Sequence, residues 1–344
     1  MRSFSKSGTT AMSLIVLTAA AIVSQQAVQA LYNPVIYNEN VPDPGALVWN
    51  GLTYVVSTAG SHEGKFPIHR SSDLQNWQIM GYALPRDKSP SWAQSPDTDF
   101  WAPELHTFND KFYLYFTLRD HEGVLCIGVA TSDNILGPFE DSGKPLIKQQ
   151  GMGSIDATVM HVDANTRYLV WKDDGNGNRP QQPTIIWAQK LTDDGLNVVG
   201  ARQELIRNDL PWEGDVTEGP WIIQENGWYY LFYSGHGYCD ASYSVGVARS
   251  RNPLGPYEKH GDPILFTHGK WVGPGHCSVV KTIDNSSWAM IYHSWENGKV
   301  CGNNNREMLV DYIDWVNEWP VVRTSSLNFY QSSYSNEFLK TTNQ

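Results

Sequence analysis

One pattern recurs along this chain and limits what it can fold into. An apolar run leads into a turn rich in Asn, Asp or Gly. An aromatic-rich strand follows, then a gap, then an apolar strand ending in small or polar residues. The first copy reads Leu47-Val48-Trp49-Asn50-Gly51-Leu52-Thr53-Tyr54-Val55-Val56. The others run from Leu105 to Leu114, Val159 to Val170, Trp221 to Leu231 and Val279 to Ile291. With Tyr54, Tyr113, Tyr168, Tyr229 and Met290 as markers, the successive spacings are 59, 55, 61 and 61. The later half of the unit repeats too: Ile127-Gly128-Val129-Ala130-Thr131-Ser132 before Gly137-Pro138-Phe139 matches Val245-Gly246-Val247-Ala248-Arg249-Ser250 before Gly255-Pro256-Tyr257. No long stretch has capped, 3.6-residue apolar periodicity, so helices are not expected. A period near 60 residues with room for four strands predicts propeller blades. The expected fold is all-β, a five-bladed β-propeller over about residues 36–322.

The first thirty residues do not join the repeat. Arg2 and Lys6 precede an apolar run from Met12 to Val23, and Val28-Gln29-Ala30 offers small residues for cleavage. This predicts a secretory signal over 1–30, with 31–344 as a single catalytic propeller domain, secreted and extracellular. The apolar run is short of the about 20 residues a membrane span needs, so no membrane partner is expected. With 344 residues, 41% hydrophobic and 18% charged, the chain can bury a large core and is not disordered. The net charge of -11, and -13 once the two basic leader residues are removed, offers no basic face for nucleic acid. Cys126, Cys239, Cys277 and Cys301 allow two disulfides in any of three connectivities. Cys126 also fits a free core thiol, inside Val124-Leu125-Cys126-Ile127. Asn285-Ser286-Ser287 is a glycosylation sequon, and a monomer is expected.

A polar residue stands just before each first strand: Asp43, Glu104, Asp156, Glu218 and His276. They precede the markers by 11, 9, 12, 11 and 14 residues. Matched blade positions should bring them together at one mouth of the central channel. Their contexts are Pro42-Asp43-Pro44, Phe100-Trp101-Ala102-Pro103-Glu104, Ser154-Ile155-Asp156-Ala157, Glu218-Gly219-Pro220-Trp221 and Gly273-Pro274-Gly275-His276. In this order the chain resembles glycoside hydrolase family 43, five-bladed propellers acting on arabinose- and xylose-containing polysaccharides. The resemblance implies Asp43 as general base, Glu218 as general acid and Asp156 as the residue that raises the acid's pKa and orients it. Hydrolysis with inversion needs such a pair of carboxyl groups, spaced so that a water fits between them. Asp156-Ala157 departs from the Asp-Pro common in the family. The Gly177-containing run Asp173-Asp174-Gly175-Asn176-Gly177-Asn178 lacks the key residues of a calcium loop and reads as a blade turn.

Trp101, beside Glu104, is the first candidate for an aromatic wall of a sugar pocket, and Glu104 itself for a polar contact there. Phe66 is a second wall candidate or a packing residue. Trp221 is expected over the acid. Arg306 matches a family Arg that contacts the sugar. His276 either helps hold a calcium ion in the channel through waters or hydrogen-bonds beneath the carboxylates. The chemistry requires no cofactor. No GxSxG or HExxH motif occurs. The expected activity is that of an exo-acting α-L-arabinofuranosidase and/or β-xylosidase on plant cell-wall polysaccharide. An endo-1,5-α-L-arabinanase and a non-catalytic sugar-binding propeller are the alternatives.

Overall fold

The computed structural model describes residues 31–58, 63–97 and 99–324. The expected signal segment and the polar tail after Thr324 lie outside the described residues.

Five antiparallel sheets follow one another in chain order. Blade 1 is β1 (Gly45–Trp49), β2 (Leu52–Val56), β3 (Gly64–Ser71) and β4 (Gln78–Pro85). Blade 2 is β5 (Trp101–Phe108), β6 (Lys111–Arg119), β7 (Leu125–Ser132) and β8 (Glu140–Asp141), with β9 (Ile147–Lys148) also paired to β7. Blade 3 is β10 (Ser154–His161), β11 (Arg167–Asp173), β12 (Ile185–Leu191) and β13 (Val198–Arg207). Blade 4 is β14 (Thr217–Glu225), β15 (Trp228–Gly235), β16 (Ser244–Ser250) and β17 (Glu258–Lys259). Blade 5 is β18 (Trp271–Lys281), β19 (Trp288–Glu296), β20 (Glu307–Val316) and β21 (Trp319–Arg323). The innermost strands β1, β5, β10, β14 and β18 each touch the next, and β18 touches β1, so the ring closes around a channel. The fold is a five-bladed β-propeller.

Local chemistry explains the hairpins. Asn50-Gly51 and Asn226-Gly227 join β1 to β2 and β14 to β15 with both residues at positive φ, the left-handed pair a tight two-residue hairpin demands. Asn109-Asp110 does the same between β5 and β6. The repeat markers all fall on second strands, opposite Leu47, His106, Met160, Gln224 and Val279. All but Tyr168 are buried, packed in the apolar layers between blades.

Residues before the first strand complete the ring. Val35 N–H donates to the Met308 carbonyl at 3.0 Å, and Asn33 bonds both ways with the backbone of Val310. The start of the described chain is thereby laced onto β20. A single disulfide, Cys239–Cys301, joins the β15–β16 loop to the β19–β20 loop, whereas Cys126 and Cys277 are free and buried. Asn285 lies exposed in the β18–β19 turn.

Candidate active site

Each innermost strand begins with the same backbone device. Asp43, Ala102, Asp156, Gly219 and His276 all adopt positive φ, between 44° and 58°. In four of the five strands the pairing register shifts at this point. The residue before each one faces a particular residue at the end of the second strand: Thr58, Thr117, Lys172, Ser234 and His293 in blade order. In four blades that facing side chain accepts the N–H of the next blade's bulge residue. Thr58 Oγ1 accepts from Ala102 at 2.6 Å, Thr117 Oγ1 from Asp156 at 3.1 Å, Ser234 Oγ from His276 at 2.8 Å and His293 Nδ1 from Asp43 at 3.1 Å. Blade 3 differs: Lys172 stands there, and the Gly219 N–H donates instead to Asp156 Oδ2 at 3.0 Å.

This alignment corrects the equivalence expected from counting. Asp43, Asp156 and His276 occupy one shared position. Glu218 lies one residue before it and Glu104 two residues after it. Even so, Asp43, Asp156, Glu218 and His276 meet at one mouth. Gly219 permits this, since a Cβ there would lie 3.0 Å from the His276 ring. Gly275 does likewise for Tyr243, whose ring would otherwise meet a Cβ at 2.0 Å.

Two electrostatic settings result. Asp43 Oδ1 accepts from Arg306 Nη1 at 2.8 Å, with the Nδ1 atoms of His276 and His293 at 3.5 and 3.4 Å. Burial alone would raise its pKa. Arg306, the two histidines and the Thr58 hydroxyl outweigh burial and hold the carboxyl well below the usual range. Because His293 Nδ1 accepts the Asp43 N–H, its ring proton sits on Nε2, which has no protein partner among the described residues. On the other side, burial pushes the Asp156 carboxyl up to about 6; His276 and Lys172 oppose the rise, and Glu218 and Asp43 add to it. Glu218 accepts from the Tyr243 hydroxyl at 2.9 Å and from Lys172 Nζ at 3.0 Å, while Lys172 also donates to Asp174 at 3.2 Å. Burial disfavours the Lys172 ammonium, but Glu218, Asp174 and Asp156 more than offset it, so Lys172 is charged.

The other predicted site residues divide. Arg306 is at the site, its guanidinium also 4.7 Å from the Tyr238 ring centroid. Trp101 stays partly exposed at the start of β5. Glu104 lies on β5 two residues after the bulge. It is 5% exposed, burial and then Asp156 raise its pKa, and among the described residues Oε2 has no hydrogen-bond partner. Phe66 is a correction: it is fully buried and packs against Phe100 and Phe116 at 5.7 and 5.6 Å. Trp221 is a second. Strand alternation beyond the bulge turns it from Glu218, so it stacks near His106, donates to the Val279 carbonyl and lines a cavity of about 260 Å³ with Leu47, Val159 and Val280. Lys172, Tyr243 and His293 were not anticipated. Aligning the ends of the second strands would have exposed Lys172 as the odd member among Thr58, Thr117, Ser234 and His293.

His276 was expected either to help hold a calcium ion through waters or to hydrogen-bond beneath the carboxylates. Among the described residues no three His, Cys, Asp or Glu side chains group as a metal cage. Asp174, in the faint calcium-like run, is engaged by Lys172.

Comparison with known proteins agrees with this architecture. The chain is 29% identical over 270 residues to "Xylosidase/arabinosidase 43B" of Humicola insolens, a match covering 74% of this chain and 48% of that protein. The chain thus spans about half the length of that relative. It is 23% identical over 301 residues to "Extracellular endo-alpha-(1->5)-L-arabinanase 1" of Bacillus subtilis (strain 168), covering 82% of this chain and 88% of that one. A crystal structure of a thermostable family-43 glycoside hydrolase superposes with a TM-score of 0.78 at 30% identity, covering 86% of this chain and 96% of the other. The sequence model of glycosyl hydrolases family 43 matches residues 31–320, so the chain belongs to that family.

Proposed function

We propose that this chain is a secreted, inverting glycosidase that releases terminal arabinofuranosyl or xylosyl residues from plant cell-wall polysaccharides and oligosaccharides. The observation that carries the reading is one mouth holding carboxyl groups in opposed settings: Asp43 kept ionised by Arg306, and Asp156 beside Glu218 pushed toward its neutral form. Asp43 serves as general base. It takes a proton from water as the water oxygen bonds to the anomeric carbon. The bond from that carbon to the leaving oxygen breaks, and Glu218 gives this oxygen its proton. The products are a sugar of inverted configuration and a free hydroxyl. Glu218 is left as a carboxylate, where the Tyr243 hydroxyl and Lys172 ammonium are already aimed. Asp43 then loses its proton to solvent and Glu218 regains one. No step passes through a cofactor or metal ion. Secretion as a monomer is part of the proposal, supported by the Cys239–Cys301 disulfide, a bond suited to oxidising compartments.

Product analysis on linear arabinan, arabinoxylan and xylo-oligosaccharides is the test. Monomer release alone is expected. A ladder of oligomers would replace the exo reading with an arabinanase-like one. No product from any arabinose- or xylose-based substrate would favour a sugar-binding propeller.

A further inference from the structure

Lys172 breaks a rule that the other blades obey. At its position Thr58, Thr117, Ser234 and His293 each offer an acceptor to the next blade's bulge N–H. An ammonium has donors only and cannot do this. Two rearrangements accompany it. The Gly219 N–H is left to Asp156 Oδ2 at 3.0 Å, and the freed Lys172 Nζ reaches Glu218 Oε2 at 3.0 Å. The Lys172 side chain is 1% exposed, and Asp174 anchors it from behind at 3.2 Å. Uncompensated burial of a cation is costly, so this placement depends on the carboxylates around it. Glu218 is also faced by the Tyr243 hydroxyl, with Asp156 on β10 and His276 on β18 close by.

We propose that Lys172 is the positioning residue for the proton-donating side of the site. By replacing the inter-blade acceptor with a cation, it fixes Glu218 directly and directs the Gly219 N–H onto Asp156. This rests on Glu218 being the general acid, and it goes beyond that reading by naming what sets the acid's geometry. Lys172 receives the Glu218 carboxylate as its proton leaves; it touches no reacting atom itself.

The test compares leaving groups. An unactivated oligosaccharide needs the acid, whereas a dinitrophenyl glycoside departs with little help from a proton. Lys172→Met, which removes the cation and adds no acceptor, is expected to lower kcat roughly 10²-fold on the oligosaccharide. Its KM should stay within about threefold, and its loss on the dinitrophenyl substrate should be at least about tenfold smaller. In a Glu218→Gln background the same substitution should add no further loss. Lys172→Thr restores the acceptor of the other blades, so the Gly219 amide resonance should shift as its proton leaves Asp156. Equal losses on both substrates, full additivity with Glu218→Gln, or an unmoved Gly219 amide would overturn the proposal. Near wild-type hydrolysis of the oligosaccharide by Glu218→Gln alone would instead overturn the acid assignment beneath it.

Discussion

Asp43 is buried, yet its neighbours keep it charged. Arg306 Nη1 at 2.8 Å is the strongest of them. A carboxylate held below its ordinary pKa stabilises the fold above about pH 4 and loses that contribution only as pH falls further. Arg306→Met should therefore let protons compete for Asp43. The acid limb of kcat/KM should move to higher pH, with the maximum falling roughly 10- to 10²-fold. An unmoved acid limb would mean that Arg306 does not set the charge on Asp43. Asp156 has the opposite sign. With its carboxyl pushed up to about 6, its contribution is complete below about pH 4 and fades as pH rises through 6. Asp156→Asn keeps the oxygen that accepts the Gly219 N–H and removes the charge. Melting curves should show the variant at least as stable as wild type above pH 6, while activity drops. A variant less stable than wild type at pH 7 would contradict this.

At the scale of the strand, the bulge motif governs where side chains go. Each bulge N–H is buried near the axis and takes a side chain from the preceding blade as its partner. Thr117→Val keeps the shape and removes the acceptor for the Asp156 N–H. The expected cost is about 1–3 kcal/mol, read as a fall in Tm of several degrees. The same motif separates what could be read in the sequence from what could not. The second strands were legible because Tyr54, Tyr113, Tyr229 and Met290 share buried positions opposite the first strand. The carboxylates Asp43, Asp156 and Glu218 were legible as a set. Their exact register was not, because turn lengths differ among blades and a positive-φ bulge resets which face a residue takes. That reset turns Trp221 toward the far end of the channel although it lies three residues from Glu218. Phe66, itself at positive φ on β3, was drawn into the core by Phe100 and Phe116, contacts remote in sequence. Lys172 had no motif around it; its meaning appears only against its four structural counterparts.

For the whole molecule, the difficulty of a propeller is closing the ring. One feature does so here, and a second fastens two neighbouring blades. Residues 33–36 bind β20 at the outer part of blade 5. The Cys239–Cys301 bond ties blade 4 to blade 5 on the catalytic face, across 62 residues of sequence. It holds Tyr238 beside Trp295, whose Nε1 donates to the Tyr238 carbonyl at 2.8 Å, and Tyr238 in turn lies against Arg306. Closing a loop of that length can restrict the unfolded chain by about 4 kcal/mol, an upper value for a ring already closed elsewhere. The double variant Cys239→Ser/Cys301→Ser should melt several degrees lower than wild type. Reductant should lower the wild-type Tm to that of the variant and leave the variant's own Tm unchanged. Cys126 and Cys277 are buried, so they should resist thiol reagents in both proteins until the ring unfolds. Because the bond supports Tyr238 and hence Arg306, its loss should also raise the acid limb of kcat/KM in the direction of Arg306→Met, by a smaller amount. A lower Tm with an unchanged pH profile would make the disulfide a fastener of the ring alone, with no hold on the charge of Asp43.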